Sequence, residues 1–363
     1  MDNNKLAKPP MEQFLEWRTP RYGTQNPTKI NSELLPWIVE NKLSAYTVNQ
    51  EFGYSNNPED DPTWSFGRNG QTTTLLEDGR TIYIGGEYED SYDPDFKIYN
   101  DIIVKHPSGD ISIYNYPREI FPPTDFHTAT LVNGSIIIIG SLGYHELRRI
   151  GHTQVFSLNI NTYEITKLDI SGTCPGWIHE HCAELSDDKT FITIIGGEVA
   201  CDGERVFIKE NIEDWRLNLN NLNWEKLTNR NWKRIQIKRK DCGWNHLWEY
   251  RQLKFSRSND WKNDHDKEYK ELGCELGMEP NLDLLEKLYR PPIKFEVLPE
   301  REDEHKVHRI IVENVVVRFV EDDEFIQVTI EGDISVNSQN TIENYILKTL
   351  SVLENCESIL ERY

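Results

Sequence analysis

The chain has 363 residues and carries 61 acidic against 40 basic side chains, a formal charge of −21. Such a surface repels nucleic acid and anionic lipid, attracts basic partners and favours solubility. Aromatic residues at 11% and apolar residues at 37% exclude wholesale disorder, and apolar runs such as Ser135–Gly140 are too short to span a bilayer.

The N-terminal stretch MDNNKLAKPPMEQFLEW lacks the apolar run of a secretory signal, so a cytoplasmic location is expected. The six cysteines are then expected as reduced thiols. Residues 1–30, with four prolines and many polar side chains, read as an extended arm. Leu35–Val39 and Ala45–Val48 read as candidate strands.

From residue 64 the sequence repeats itself. Gln71-Thr-Thr-Thr-Leu75, a turn at Glu77–Arg80 and Thr81-Ile-Tyr-Ile-Gly85-Gly86-Glu87 form one unit. His127-Thr-Ala-Thr-Leu131, Asn133-Gly134 and Ile136-Ile-Ile-Ile-Gly140-Ser141 form the second. His181-Cys-Ala-Glu-Leu185, Asp187-Asp188 and Phe191-Ile-Thr-Ile-Ile-Gly196-Gly197-Glu198 form the third. The glycine step is 55 and then 56 residues. Each unit reads as a hairpin whose second strand is apolar throughout, as burial on both faces requires. Glycine at the strand end permits close approach of neighbouring backbones. A second hairpin follows: Leu158-Asn-Ile-Asn-Thr-Tyr-Glu-Ile-Thr-Lys-Leu168 aligns without a gap on Leu217-Asn-Leu-Asn-Asn-Leu-Asn-Trp-Glu-Lys-Leu227, and Ile102–Ile113 is a looser version. Two hairpins make a four-stranded unit.

The His-x-Ala-x-Leu strand, the Asp-Gly turn, the Gly-Gly-Glu doublet and Trp224-x-x-Leu227 resemble kelch repeats over roughly residues 64–228. That resemblance implies a mainly β fold, a kelch-type β-propeller that is partial or degenerate, over residues 31–262. An ordinary β-sandwich is the competing fold. Three blades do not close a ring. Either residues 30–63 and 229–330 hold degenerate blades, or the array is open and capped.

Asn229–Lys240 is locally basic and lies in a Trp-rich stretch; it is read as a loop or strand pairing with acids of its own chain rather than as a nucleic-acid strip. Residues 263–363 read as a small α+β domain of order α-α-β-β-α: helices at Asp264–Leu276 and Asn281–Tyr289, strands at Arg309–Phe319 and Phe325–Ile330, and an amphipathic helix at Asn340–Leu360.

Two constellations suggest chemistry. Cys174-Pro-Gly-Trp-Ile-His179-Glu-His181-Cys182, near Cys201, has zinc-type donors without the spacing of a structural zinc site. Glu87 and Glu198 follow glycine doublets at equivalent positions, and two carboxylates facing one cavity suit acid–base work if their pKa values are split. Neither displaces the main expectation of a binding protein that is not an enzyme and takes no cofactor or metal. Its partner is a basic protein, not nucleic acid or membrane. The specific form expected is an immunity-type inhibitor of a basic toxin or nuclease in the bacterial cytoplasm. The alternative is a carbohydrate-binding or sugar-converting kelch propeller. The partner-binding loops are 88–100, 141–152, 172–180 and 201–214, with Tyr88, Tyr92, Tyr99, Tyr144, His145, Arg148, Trp177 and Arg205 as anchors.

Overall fold

A computed structural model describes residues 6–55, 61–90, 93–201, 207–259, 261–299 and 306–363. The chain is mainly β and divides into two compact units, Met1–Arg230 and Asn231–Tyr363.

The first unit opens with helices, not with an extended arm and strands. They span Met11–Trp17, Leu34–Asn41 and Ala45–Phe52. Pro36 sits in the first turn, where its missing N–H is not needed. The Ser44 hydroxyl caps the third helix by accepting from the Thr47 N–H. Ala45, Val48, Asn49 and Phe52 then fall on one buried face, the three-to-four-residue spacing of a helix rather than the alternation of a strand. Phe14 of the expected arm is buried and stacks on Phe52 at 4.5 Å.

Three four-stranded antiparallel sheets follow, each a simple up-and-down meander. The first uses Thr72–Leu75, Thr81–Ile84, Ile102–Lys105 and Ile111–Asn115, with Thr28–Lys29 added at the edge. Next come Thr128–Val132, Ser135–Ile139, Val155–Asn159 and Ile165–Lys167. The third uses Cys182–Leu185, Phe191–Ile195, Trp215–Asn218 and Asn223–Lys226. Asn133 and Gly134, both at positive φ, close the Val132–Ser135 pair of the second sheet as a tight hairpin. Hairpins leave the first and third sheets after their second strands: Glu87–Asp90 with Asp93–Ile98, and Glu198–Cys201 with Phe207–Glu210. Trp177–His179 pairs with the latter.

The cores follow the strand period of two. Phe14, Ile38, Val48 and Phe52 of the helical layer pack with Ile103 and Ile113 of the first sheet. Ile82, Ile84, Ile102 and Val104 meet Ile136, Ile138, Phe156 and Leu158 of the second. Ile137, Ile139 and Val155 meet Ile192, Ile194, Trp215 and Leu217 of the third. The unbroken isoleucine run Ile136–Ile139 thus feeds two cores, one from each face. The order is helical layer, first sheet, second sheet, third sheet, and the described residues contain no closed ring of sheets.

The second unit begins earlier than the expected boundary at 262/263. Lys233–Arg239 is a strand that pairs with Phe325–Ile330 on one side and Ser358–Arg362 on the other, so it belongs to the C-terminal sheet. That six-stranded sheet runs in the order Glu296–Val297, Val307–Val312, Val315–Glu321, Phe325–Ile330, Lys233–Arg239, Ser358–Arg362. The single strand expected at Arg309–Phe319 is two, because Glu313 and Asn314 turn the chain at φ 53° and 64°. The helix expected at Asn340–Leu360 spans Val336–Leu353, capped by Ser335, and Ile359 lies on the edge strand. The basic stretch does pair with acids: Lys238 with Glu361 at 2.8 Å, Arg239 with Glu354 at 3.1 Å and Lys240 with Glu357 at 2.7 Å.

Candidate functional site

The three repeats come into register where the chain enters each sheet. Asn69-Gly70-Gln71, Asp125-Phe126-His127 and His179-Glu180-His181 occupy equivalent places. The middle residue of each lies in the left-handed region, at φ 60°, 46° and 55°. The Phe126 N–H donates to the Gly70 carbonyl at 2.9 Å, and the Glu180 N–H donates to the Phe126 carbonyl at 2.8 Å. One position later, His127 Nε2 is hydrogen-bonded to Thr72 Oγ1 at 2.8 Å and His181 Nε2 to Thr128 Oγ1 at 2.9 Å. Burial lowers His127 to about 3 and His181 to about 4, so both rings are neutral fasteners between sheets at physiological pH.

At this end of the sheets stand four carboxylates and a third imidazole. Asp125 is fully buried. Its Oδ1 accepts from the Gly143 N–H at 2.7 Å and from Ser141 Oγ at 3.0 Å, while its Oδ2 is buried without a hydrogen-bond partner. Burial, then the charges of Asp125 and Glu89, push Glu87 up to about 7. Glu180 is raised by burial and by Asp125. His179 is 2% exposed, and neither of its ring nitrogens has a hydrogen-bond partner. It faces Glu198 across the Trp177–His179 and Glu198–Cys201 pair, with Nε2 at 4.0 Å from Glu198 Oε2. Burial, with the Arg148 cation nearby, lowers His179 to about 4 and leaves it neutral. One donor atom each from His179, Glu180 and Glu198 lies within 4.8 Å of the others. The cysteines flanking this segment take no part: Cys174 Sγ is 3.2 Å from the Gly151 carbonyl, and Cys182 is exposed.

Among the described residues, the loops expected to bind a partner are tied down by hydrogen bonds, and two of their anchors prove to be interior residues. Trp177 is buried and its Nε1 donates to the Leu142 carbonyl at 3.0 Å. Tyr99 is buried, accepts from the Ser65 N–H at 3.1 Å and lies under the Arg68 guanidinium at 3.5 Å. Both stand where a loop joins a strand, so their rings turn into the core rather than outward. Tyr88 is half-buried against the helical layer. Arg148 Nε donates to the Leu142 carbonyl at 3.0 Å. The Tyr144 hydroxyl accepts from the Ile98 N–H at 2.9 Å, and its ring meets Phe96 edge-on at 5.8 Å. His145 is exposed. Tyr92 and Arg205 lie outside the described residues.

Sequence reasoning missed two exposed aromatics of the first unit, Phe96 at 42% and Tyr22 at 39% exposure. It also missed a cleft of about 390 Å³ whose lining includes Arg118, Arg149, His152, Lys167 and Trp177. In the second unit a cleft of about 370 Å³ is lined by Arg251, Lys254, Tyr289, His308 and Arg309 among others. Below it Glu321 pairs with Arg251, accepts from the Tyr289 hydroxyl at 2.8 Å and lies 3.5 Å from His308. Burial works against the Glu321 charge, but the bonds from His308 and Arg251 outweigh it and hold the carboxyl down at about 2.

No family model matches the chain, and no curated protein does. Among solved structures, the one described as "Structure of YjhT" is 14% identical over 44% of this chain and 52% of its own, with a TM-score of 0.34. The match therefore spans about half of that protein, and the score is too low to assign a fold.

Proposed function

We propose that the first unit is a partial kelch-type β-propeller of three blades that works as a recognition module for a basic protein. What supports the propeller reading is the repeated fastening of equivalent positions, Gly70 to Phe126 to Glu180 and Thr72–His127 to Thr128–His181, which relates each sheet to the next in the same way. The recognition reading rests on one observation: unlike insertions follow equivalent glycine positions of successive repeats, and Glu87, Asp125, Glu180 and Glu198 gather there, with Phe96 exposed on the first inserted hairpin. Aromatic side chains on a rigid backbone lose little entropy on docking and anchor interfaces. The acidic field speeds capture of a cationic partner. A soluble acidic inhibitor of a basic toxin or nuclease, acting in the bacterial cytoplasm, fits these features.

The test is capture from extracts of the native host at low and high salt, comparing the native protein with Phe96→Asp and Tyr22→Ala. A basic protein retained by the native chain, released by salt and lost in Phe96→Asp is the expected outcome. If no protein is retained, or if both variants retain what the native chain does, the recognition reading fails.

A second reading, a sugar-converting enzyme, is favoured by Glu87. Burial and the Asp125 charge push its carboxyl up to about 7, within the range a general acid or base uses at neutral pH. Turnover of a sugar panel that disappears in Glu87→Gln would favour it over recognition.

A further inference from the structure

We infer that His179, Glu180 and Glu198 form a binding site for a divalent transition metal of the zinc class. The cluster brings one imidazole and two carboxylates together from two paired strands and the residue that follows the first of them. This donor set suits zinc, cobalt or manganese better than calcium, which prefers oxygen alone.

A buried imidazole marks the place independently of the two carboxylates. His179 is 98% buried by the complement of its 2% exposure, yet neither ring nitrogen is hydrogen-bonded. Its Nε2 points toward Glu198, 4.0 Å from the carboxylate. Unpaired buried polar atoms are costly, and a ligand that accepts a lone pair removes the cost.

The geometry is near to closure. Bonds of about 2.1 Å in a tetrahedron place ligands about 3.4 Å apart. The three donor atoms lie within 4.8 Å, so an inward shift of roughly an ångström completes the set. Glu180 and Glu198 are exposed enough to make it by rotating their side chains, while the buried ring stays fixed. Three protein ligands leave one position of a tetrahedron for water or for a donor from a bound molecule.

The inference does not depend on the recognition reading, since metal content is measured without any partner. The full chain, stripped with a chelator and dialysed, is titrated with zinc chloride by calorimetry, and bound metal is counted by plasma emission. About one equivalent at micromolar affinity is expected. Cobalt should give visible absorption bands of a four- or five-coordinate nitrogen–oxygen site, without the thiolate charge-transfer band in the near ultraviolet. Glu180→Gln and Glu198→Gln, both on accessible side chains, should each weaken binding at least tenfold. The Cys174→Ser/Cys182→Ser/Cys201→Ser triple variant should bind as the native chain does. Less than about 0.2 equivalents at 100 µM zinc overturns the proposal. So does unchanged affinity in the Glu180→Gln/Glu198→Gln double variant, or loss of the metal in the cysteine variant. A preference for calcium over zinc overturns the role of His179.

Discussion

Gly140 and Gly196 occupy the same place in the second and third repeats, and both are left-handed, at φ 77° and 66°. A side chain at either position carries the same backbone penalty, about 1–2 kcal/mol. Their surroundings differ. A Cβ on Gly140 would stand 2.3 Å from the Ile178 carbonyl oxygen, backbone of the segment leading into the third sheet, and 2.9 Å from His181 Cε1. A Cβ on Gly196 would meet nothing within 4 Å. To relieve the first clash the two backbones must separate by roughly an ångström, breaking the fit between sheets. Overpacking of that kind costs about 1–3 kcal/mol in addition. Gly140→Ala is therefore expected to destabilise the first unit by about 3–4 kcal/mol, and Gly196→Ala by about 1 kcal/mol. Urea unfolding followed by tryptophan fluorescence measures both, with amide exchange at residues 136–139 and 192–195 assigning the transition to this unit. Equal losses for the two variants would refute the claim that this glycine exists to let one sheet approach the next.

In the second unit, Arg251→Ala strips the cation from Glu321, whose side chain is 4% exposed, and should cost about 3 kcal/mol in a urea melt; a loss below 1 kcal/mol would mean that Tyr289 and His308 suffice to hold the charge. Because Glu321 titrates at about 2 in the fold, below the ordinary carboxylate value of about 4.3, its contribution is complete above that ordinary value and is lost as pH falls toward 2. Acid unfolding of Glu321→Gln should accordingly show a shallower pH dependence between about 4 and 2 than the native chain. Trp177→Phe keeps the buried ring but removes the donor to Leu142, so a loss of about 1 kcal/mol and faster amide exchange at 142–148 are expected; unchanged exchange there would show that Arg148 alone fixes the loop.

The sheets were legible because their signals are local. Asn133-Gly134 dictates a hairpin, and a strand written Ser-Ile-Ile-Ile-Ile has no polar face to give to water. The helices at the start of the chain were not read, because Leu35-Pro-Trp-Ile-Val39 is equally apolar as strand or helix over so short a run. What separates the two is Ser44 capping Thr47 and a proline tolerated in the first turn. The boundary between units was misplaced because Lys233–Arg239 carries a pair of charged residues at each end of a strand that is interior to its sheet. Lys238 and Arg239 pair with Glu361 and Glu354, and Ile235 and Ile237 are its two apolar residues. The candidate site was half visible. The glutamates after the doublets and the His179–His181 segment were both noticed, but separately, since nothing in the sequence says that Glu198 pairs with His179 across a strand.

The third sheet explains where the array stops and why the chemistry gathers beside it. In the second sheet, Ser135–Ile139 buries isoleucine on both faces. In the third, Ile192 and Ile194 face the second sheet while Thr193 lies on the other side and Ile195 is exposed. The next strand, Trp215-Arg-Leu-Asn, alternates in the same sense, and Arg216 covers Phe191 at 4.5 Å while pairing with Glu225 at 2.6 Å. A polar outer face is what a terminal repeat needs to remain soluble. The open space at Gly196 is the backbone counterpart of that face. The strands that build the sheets share one alternation, with successive side chains on opposite faces. The insertions after the glycine doublets differ among the repeats: a hairpin beginning at Glu87, a loop carrying Arg148, a hairpin beginning at Glu198. Equivalent attachment points thus carry unlike insertions, and His179, Glu180 and Glu198 come together beside the third sheet, where the inserted hairpin pairs with Trp177–His179.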